Sequence, residues 1–446
     1  MRILIAGAGE VGYHVAKLLD NEKQNIFIID ENQHHLDRID TNLDAVTIKG
    51  DATSPEVLLQ GEVSKADLLI SVTSSQANNL NIAMLGKKLG AKKTIARISN
   101  IAYFDRKFGI DFKEMGIDKL ISPEMLAAEE IYSLVKQPYF TNYMAFDNGL
   151  LHLAGIRLDD RCLLSGKFIT ETEHLNPDRS FLPVAIRKVK DTIIPRGDTK
   201  FEIGDYVYFI SKPEGLDRII HLTGRDEMKV RNVMIMGGSR VGRHTARMLS
   251  SNYKVKLIEL DEKRCFDISD EQPNIMVIRG DGRDTDLLEE ESIREMDAFL
   301  SVTGNPATNI MACLTAKNYG VEKTIALVET GDDVQISKAI GIDTLINKKL
   351  IAASNIFQYI RQGKVLNMSG LVGMNAELLE FEVSKGDPIT RAPLKELKFP
   401  KGALIGGAVR NHEAIITLGN FQAQPGDHIV VFSLPHCIQQ VEKFFR

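Results

Sequence analysis

The chain carries one glycine-rich loop twice. Residues 1–20 read MRILIAGAGEVGYHVAKLLD, and residues 230–249 read VRNVMIMGGSRVGRHTARML. In the first, Gly7-x-Gly9-x-x-Gly12 stands between an apolar run with strand character and an amphipathic run with helical period. Such a loop requires a strand–turn–helix junction. The first glycine permits the tight turn, the second lets a phosphate approach the backbone, and the third lets helix and strand pack closely. N–H groups at the start of the helix then face the phosphates, with the helix dipole behind them.

The repetition reaches well beyond the loop. Gly7 and Gly237 are 230 residues apart, and Gly12/Gly242, Asp51/Asp281, Thr73/Thr303 and Asn79/Asn309 keep that spacing. Asp30 falls opposite Glu259, one residue off the register, and KTIARI lies opposite KTIALV. Further on, GIDKLISPEMLAAEEI matches GIDTLINKKLIAASNI at a spacing of 225. Fixed spacing over so many short motifs marks a duplication.

In the first copy, apolar strand runs are expected at 3–6, 25–29, 45–49, 68–72 and 94–98. Helices fall between them at 9–19, 33–39, 54–61 and 78–89. Short strands that are apolar throughout, separated by helices, predict a parallel sheet covered on both faces. Residues 144–222 and 370–446 read differently, with short alternating segments punctuated by Pro and Gly. Gly204-Asp205-Tyr206-Val207 corresponds there to Gly426-Asp427-His428-Ile429. Length alone suggests about three domains, but the pattern predicts four segments: 1–136, 140–223, 229–360 and 366–446. The expected fold class is α/β, with tandem Rossmann-like doubly wound parallel-sheet domains, each followed by a small β-rich α+β domain.

A net charge of -5 argues against nucleic acid as a partner, because phosphate neutralisation needs clustered Lys and Arg. No run approaches the roughly 18 apolar residues of a membrane span. Met1-Arg2-Ile3-Leu4-Ile5 leads directly into a strand, which argues against a signal peptide. Cys162, Cys265, Cys313 and Cys437 are far apart and form no Cys-x-x-Cys pair. Neither a structural zinc nor a disulfide framework is expected, and no metal ligands are assigned. The expectation is a cytoplasmic protein with reduced thiols.

Candidate cofactor-binding residues follow from the loop. In the first copy they are Gly7, Ala8, Gly9, Glu10, Val11 and Gly12, with Asp30 at the end of the second strand. A carboxylate there accepts hydrogen bonds from both ribose hydroxyls of an adenosine and repels a 2′-phosphate, which favours NAD over NADP. Asp51 and Ala52 follow the third strand, where Asp51 either bonds an adenine edge or caps the next helix. Thr73 and Ser74 follow the fourth, facing a ligand or capping the helix near Asn78. Arg97, a charge in an apolar strand, meets ligand phosphates or forms a buried ion pair. The second-copy candidates are Gly237, Gly238, Ser239, Arg240, Val241, Gly242, Glu259, Asp281, Gly282 and Thr303. Ser239 narrows the approach to the backbone and Leu327 replaces the Arg97 cation, so the two sites are not equivalent.

A dehydrogenase would need a proton donor or acceptor beside the nicotinamide. None of the ten histidines recurs with Lys, Tyr or a carboxylate at suggestive spacing, and no catalytic residue is assigned. His14, His34, His35 and His244 read as surface or packing residues. A redox-sensing transcription factor would need a basic helix-turn-helix, and none is present. A ligand-binding switch is favoured over both.

Taken together, AGAGEVGYHVA, IIDEN, IKGDAT, SVTSSQANNLNIAML and IARI, followed by GIDKLISPEMLAAEEI, resemble the regulator-of-potassium-conductance domain. The tandem arrangement, with a β-rich module after each copy, is similar to the peripheral NAD-binding subunits of the Trk potassium uptake system. This resemblance implies NAD(H) as cofactor, with ATP or ADP especially at the second site. It also implies a homo-oligomer, a tetramer in the family, docked beneath a Trk-type membrane potassium-conducting subunit. The chain would then be cytoplasmic and peripheral on the inner face of the cell membrane, touching it through that partner.

Overall fold

Four consecutive apolar residues, Ile3, Leu4, Ile5 and Ala6, have no exposed surface, which an edge strand or a one-sided sheet would not allow. They belong to β1 (Arg2–Ala6), the centre of a six-stranded parallel sheet. The other strands are β2 (Asn25–Asp30), β3 (Val46–Lys49), β4 (Leu68–Ser71), β5 (Lys93–Arg97) and β6 (Lys119–Ile121). A computed structural model describes residues 1–20, 23–188, 191–224, 228–329, 342–361, 365–370 and 376–446. The strand order is β3-β2-β1-β4-β5-β6, so chain direction across the sheet reverses between β1 and β4. Loops diverge at that point, leaving a crevice at the carboxyl ends of the strands.

Helices α1 (Glu10–Asp20), α2 (Gln33–Asn42), α3 (Pro55–Gln60) and α4 (Gln76–Lys88) connect the first five strands, and α5 (Pro123–Lys136) follows β6. Along α1, Val11, Val15, Ala16 and Leu19 are buried at helical spacing. Glu10 in its first turn and Lys17 in its last complement the helix dipole. The sequence pattern gave five strands, and the sixth is an addition. β6 has only three residues and follows a stretch of short 3-10 turns, so it offers too little periodicity to be read.

The second sheet is antiparallel: β7 (Asn142–Phe146), β8 (Leu151–Arg157), β9 (Phe181–Arg187), β10 (Thr192–Ile193) and β11 (Tyr206–Ser211), in the order β10-β9-β11-β8-β7, followed by α6 (Pro213–Leu222). The third repeats the first. It contains β12 (Asn232–Met236), β13 (Lys254–Glu259), β14 (Met276–Arg279), β15 (Ala298–Ser301), β16 (Lys323–Leu327) and β17 (Thr344–Ile346), ordered β14-β13-β12-β15-β16-β17. Its helices are α7 (Arg240–Leu249), α8 (Glu262–Glu271), α9 (Thr285–Glu290), α10 (Pro306–Asn318) and α11 (Lys348–Arg361). The fourth, antiparallel, holds β18 (Val365–Gly370), β19 (Glu377–Glu382), β20 (Ala403–Arg410), β21 (Glu413–Ile416) and β22 (His428–Ser433), and α12 (Ile438–Glu442) follows it. The fold is thus tandem Rossmann-like sheets, each followed by a small β-rich sheet.

The chain packs as two compact units that cut across its linear order. One comprises 1–129, 239–244 and 347–360; the other comprises 130–238, 245–346 and 361–446. In the first unit, most of α11 joins the β1–β6 sheet although it follows β17 in sequence. Its Ala352, Ala353, Ile356 and Phe357 are at most 3% exposed. In the second unit, Lys323 Nζ of β16 donates to the Phe140 carbonyl just after α5, at 2.9 Å. The same unit joins the two β-rich sheets through one core, where Leu151, Tyr208 and Ile210 pack with Leu378, Val430 and Phe432. A methyl added at Gly406 would lie 2.7 Å from Ile210 Cγ1, so the sheets approach too closely there for a side chain. Each large apolar side chain buried in this way contributes about 1.5–3 kcal/mol.

Candidate functional site

The turn after β1 brings the first loop against the turn after β4. Gly7 has φ +106°, a conformation open to glycine, and a Cβ there would stand 2.9 Å from the Thr73 nitrogen. At Gly12 a Cβ would be 1.9 Å from the Gly7 carbonyl oxygen, so this glycine is what allows α1 to start so close to β1. At Gly9 a Cβ would meet no atom within 4 Å. Its open side faces a cavity of about 330 Å³ at the carboxyl end of the sheet.

Gly7, Gly9, Glu10, Val11, Asp30, Asp51, Ala52, Thr73, Ser74 and Arg97 all line this cavity. Ala8 and Gly12 do not; they shape the loop from behind. The Ala8 N–H donates to Asp30 Oδ2 at 2.6 Å, and the Asn32 N–H donates to Oδ1 at 2.8 Å. Asp30 therefore locks the turn, a role that sequence spacing did not reveal. A carboxylate has about four acceptor positions, so about two remain beyond these two bonds. His35, read from sequence as a surface or packing residue, lines the cavity with Nδ1 3.4 Å from Asp30 Oδ1.

Asp51 lines the cavity and does not cap the next helix. Ser54, not Asp51, is the N-cap residue of α3. Asp51 instead accepts from the Thr53 N–H at 2.8 Å and the Thr53 hydroxyl at 2.7 Å, and these bonds hold its carboxyl below the usual range. Arg97 lines the cavity and makes the expected ion-pair contact, its Nη2 lying 3.8 Å from Oε1 of the buried Glu124. Burial works to raise the Glu10 pKa, but a hydrogen bond and charge from Arg38, with His14 and Lys349, bring it below its usual value.

Thr73 caps no helix. α4 is capped by Ser75, whose side chain accepts from the Asn78 N–H. Thr73 is instead gripped by Asn79, which is 1% exposed. Asn79 Oδ1 accepts from the Thr73 N–H at 2.8 Å and the Thr73 hydroxyl at 2.7 Å, while Nδ2 donates to the carbonyls of Thr73 and Arg97. One amide thus ties together the ends of β4 and β5, where two cavity residues sit. The repeat exposed the Asn79/Asn309 pair without indicating this role. Lys349 at the start of α11 also lines the cavity and was not singled out from sequence.

The second copy keeps the frame and changes the fittings. Gly237 has φ +109°. The Gly238 N–H donates to Glu259 Oε2 at 2.7 Å, and the Asp261 N–H donates to Oε1 at 2.9 Å, reproducing the Ala8–Asp30 lock with a longer acid. Glu259 is 7% exposed, so its carboxylate is largely enclosed. Ser239 Oγ accepts from the Gly242 N–H at 3.3 Å within the turn that opens α7, where Arg240 and the buried Val241 begin the helix. Asp281 is bound by Arg283 through both its backbone N–H and its guanidinium. A Cβ at Gly282 would lie 2.7 Å from Met236 Cγ. The matching first-copy pair is Ala52 and Ala6, so side-chain volume has moved from one strand end to the other. Asn309 Oδ1 accepts from the Thr303 N–H and hydroxyl, at 3.0 and 2.6 Å.

The chain matches the TrkA-N domain over residues 3–123 and 233–348, and the TrkA-C domain over residues 153–224 and 378–446. It is 30% identical over 455 residues to the Trk system potassium uptake protein TrkA homolog 1 of Methanosarcina mazei, covering 100% of both chains. It is 31% identical over 447 residues to the TrkA homolog of Archaeoglobus fulgidus, again covering 100% of both. The crystal structure of the GsuK RCK domain aligns with 100% of this chain and 94% of its own at a TM-score of 0.61 and 15% identity, a likeness of fold. With two TrkA-N and two TrkA-C matches in alternation, and relatives aligned end to end, the chain belongs to the TrkA family of Trk system potassium uptake proteins.

Proposed function

We propose that this chain is a nucleotide-binding regulatory subunit that gates potassium uptake through a separate Trk-type membrane protein. It acts by binding, not turnover. In this reading the four segments 1–136, 140–223, 229–360 and 366–446 work as two sensor–connector pairs in a homo-oligomer, tetrameric as in the family, on the inner face of the membrane. The cavity beside Gly9 takes NAD(H), with ADP or ATP as competitors there or as ligands of the second copy. Amides of the loop and the start of α1 hold the phosphates, and Asp30 holds the ribose through its remaining acceptor positions. Glu259 and Ser239 give the second copy a different preference.

The observation that carries this reading is the open side of Gly9, facing a cavity with Asp30 at one side and Arg97 at another. A ligand moves a conformational equilibrium only by its differential affinity for the two states; a tenfold preference supplies about 1.4 kcal/mol per site. Coupled sites in a symmetric assembly add these contributions.

Calorimetric titration of the full chain with NAD, NADH, ADP and ATP tests the site. Asp30→Ala is expected to weaken NAD(H) binding by about tenfold or more through loss of hydrogen bonds to a charged acceptor. Equal affinity in the variant, or no saturable binding by the unaltered protein, refutes the assignment.

A further inference from the structure

We infer that Lys349, carried by the second half of the chain, is a phosphate ligand for the nucleotide held by the first half. This rests on the nucleotide reading of the first cavity and deepens it by naming which part of the ligand α11 reads.

Three observations meet at this residue. Lys349 lines the Gly9 cavity although it lies in the helix that follows β17, the last strand of the second copy's sheet. Its positive charge acts on Glu10, in the loop itself, and on His14, one turn along α1. It therefore stands on the side of the cavity formed by the start of α1. Its helix is firmly placed: the buried Asn347 accepts from the Lys349 and Leu350 N–H groups at 3.0 and 3.1 Å. The half-buried side chain has less freedom to lose on gripping a ligand than an exposed lysine would.

The duplication sharpens the point. At the spacing of 225, Lys349 stands where the first copy has Glu124, and at the spacing of 230, Leu327 stands where it has Arg97. In the first copy those positions form the Arg97–Glu124 pair. In the second they hold an apolar residue, Leu327, and a cation, Lys349. The first cavity thus receives one cation from its own sheet and a second from α11. Two cations beside a row of helix-terminal amides suit a diphosphate or triphosphate group far better than a neutral nucleoside. A phosphate held by both would fasten α11 to the first loop, giving the second half of the chain a direct reading of what the first has bound.

The test compares Lys349→Gln and Lys349→Arg in the full chain, titrated with ADP and with adenosine, with thermal melting to confirm folding. The expected result is about tenfold weaker ADP binding in Lys349→Gln, unchanged adenosine binding, and recovery of most ADP affinity in Lys349→Arg. Equal ADP affinity in Lys349→Gln and the unaltered protein overturns the inference. So does an equal loss for adenosine, which would mark a structural role only. Absence of ADP and NAD(H) binding by the unaltered protein would overturn the functional reading, and this inference with it.

Discussion

A methyl group at Gly12 would sit 1.9 Å from the Gly7 carbonyl oxygen, while one at Gly9 has no neighbour within 4 Å. On the nucleotide reading proposed above, the two glycines separate stability from binding. Gly12→Ala is expected to cost about 1–3 kcal/mol in denaturant melts, because backbone must move to admit the side chain. Gly9→Ala should melt within about 0.5 kcal/mol of the unaltered protein, yet bind NAD(H) markedly less well because the new methyl occupies the approach to the amides. Unchanged nucleotide affinity in Gly9→Ala would remove the phosphate from this position. The packing role of Gly12 was legible in the sequence, since it follows from what a strand–turn–helix junction requires. The Ala8–Asp30 bond was not, because the partner of a strand-end acid depends on how the adjoining turn closes. His35 was also missed: its place beside Asp30 depends on how α2 sits after β2.

At the scale of elements, parallel strands and their helices could be read from apolar runs, and the end positions of β1 and β4 located the crevice. What joins neighbouring strand ends could not be read, since it depends on a side chain crossing from α4. Asn79 satisfies backbone groups at Thr73 and Arg97 in a nearly closed environment. Asn79→Ala leaves those groups without their partner and is expected to cost about 2–4 kcal/mol, at roughly 1–3 kcal/mol for each buried group left unmet. It should also weaken nucleotide binding by loosening Thr73 and Arg97. A denaturation midpoint equal to that of the unaltered protein would show that the amide is dispensable. Asn309 makes the same bonds at Thr303 and Leu327, so Asn309→Ala should destabilise the third sheet to a similar degree.

The duplication shows in the sequence because its spacing is constant, and the shift from 230 to 225 marks where the copies diverge. Two features of the whole chain leave no such trace. Residues 347–360 pack with the first sheet, and the two β-rich sheets share one core; both depend on contacts between residues remote in sequence. The first cavity is also lined by Lys349 of the second half, so the two copies are not structurally independent. On the proposed reading, a nucleotide in this cavity sets potassium flux through the membrane partner. This is tested most directly by measuring potassium flux in vesicles containing that partner and the full chain, as NAD, NADH, ADP and ATP are added in turn. The expected result is a flux that depends on which nucleotide is present, and loss of that dependence in Gly9→Ala while the variant remains folded. The same nucleotide dependence in Gly9→Ala, or none with the unaltered protein, would contradict it.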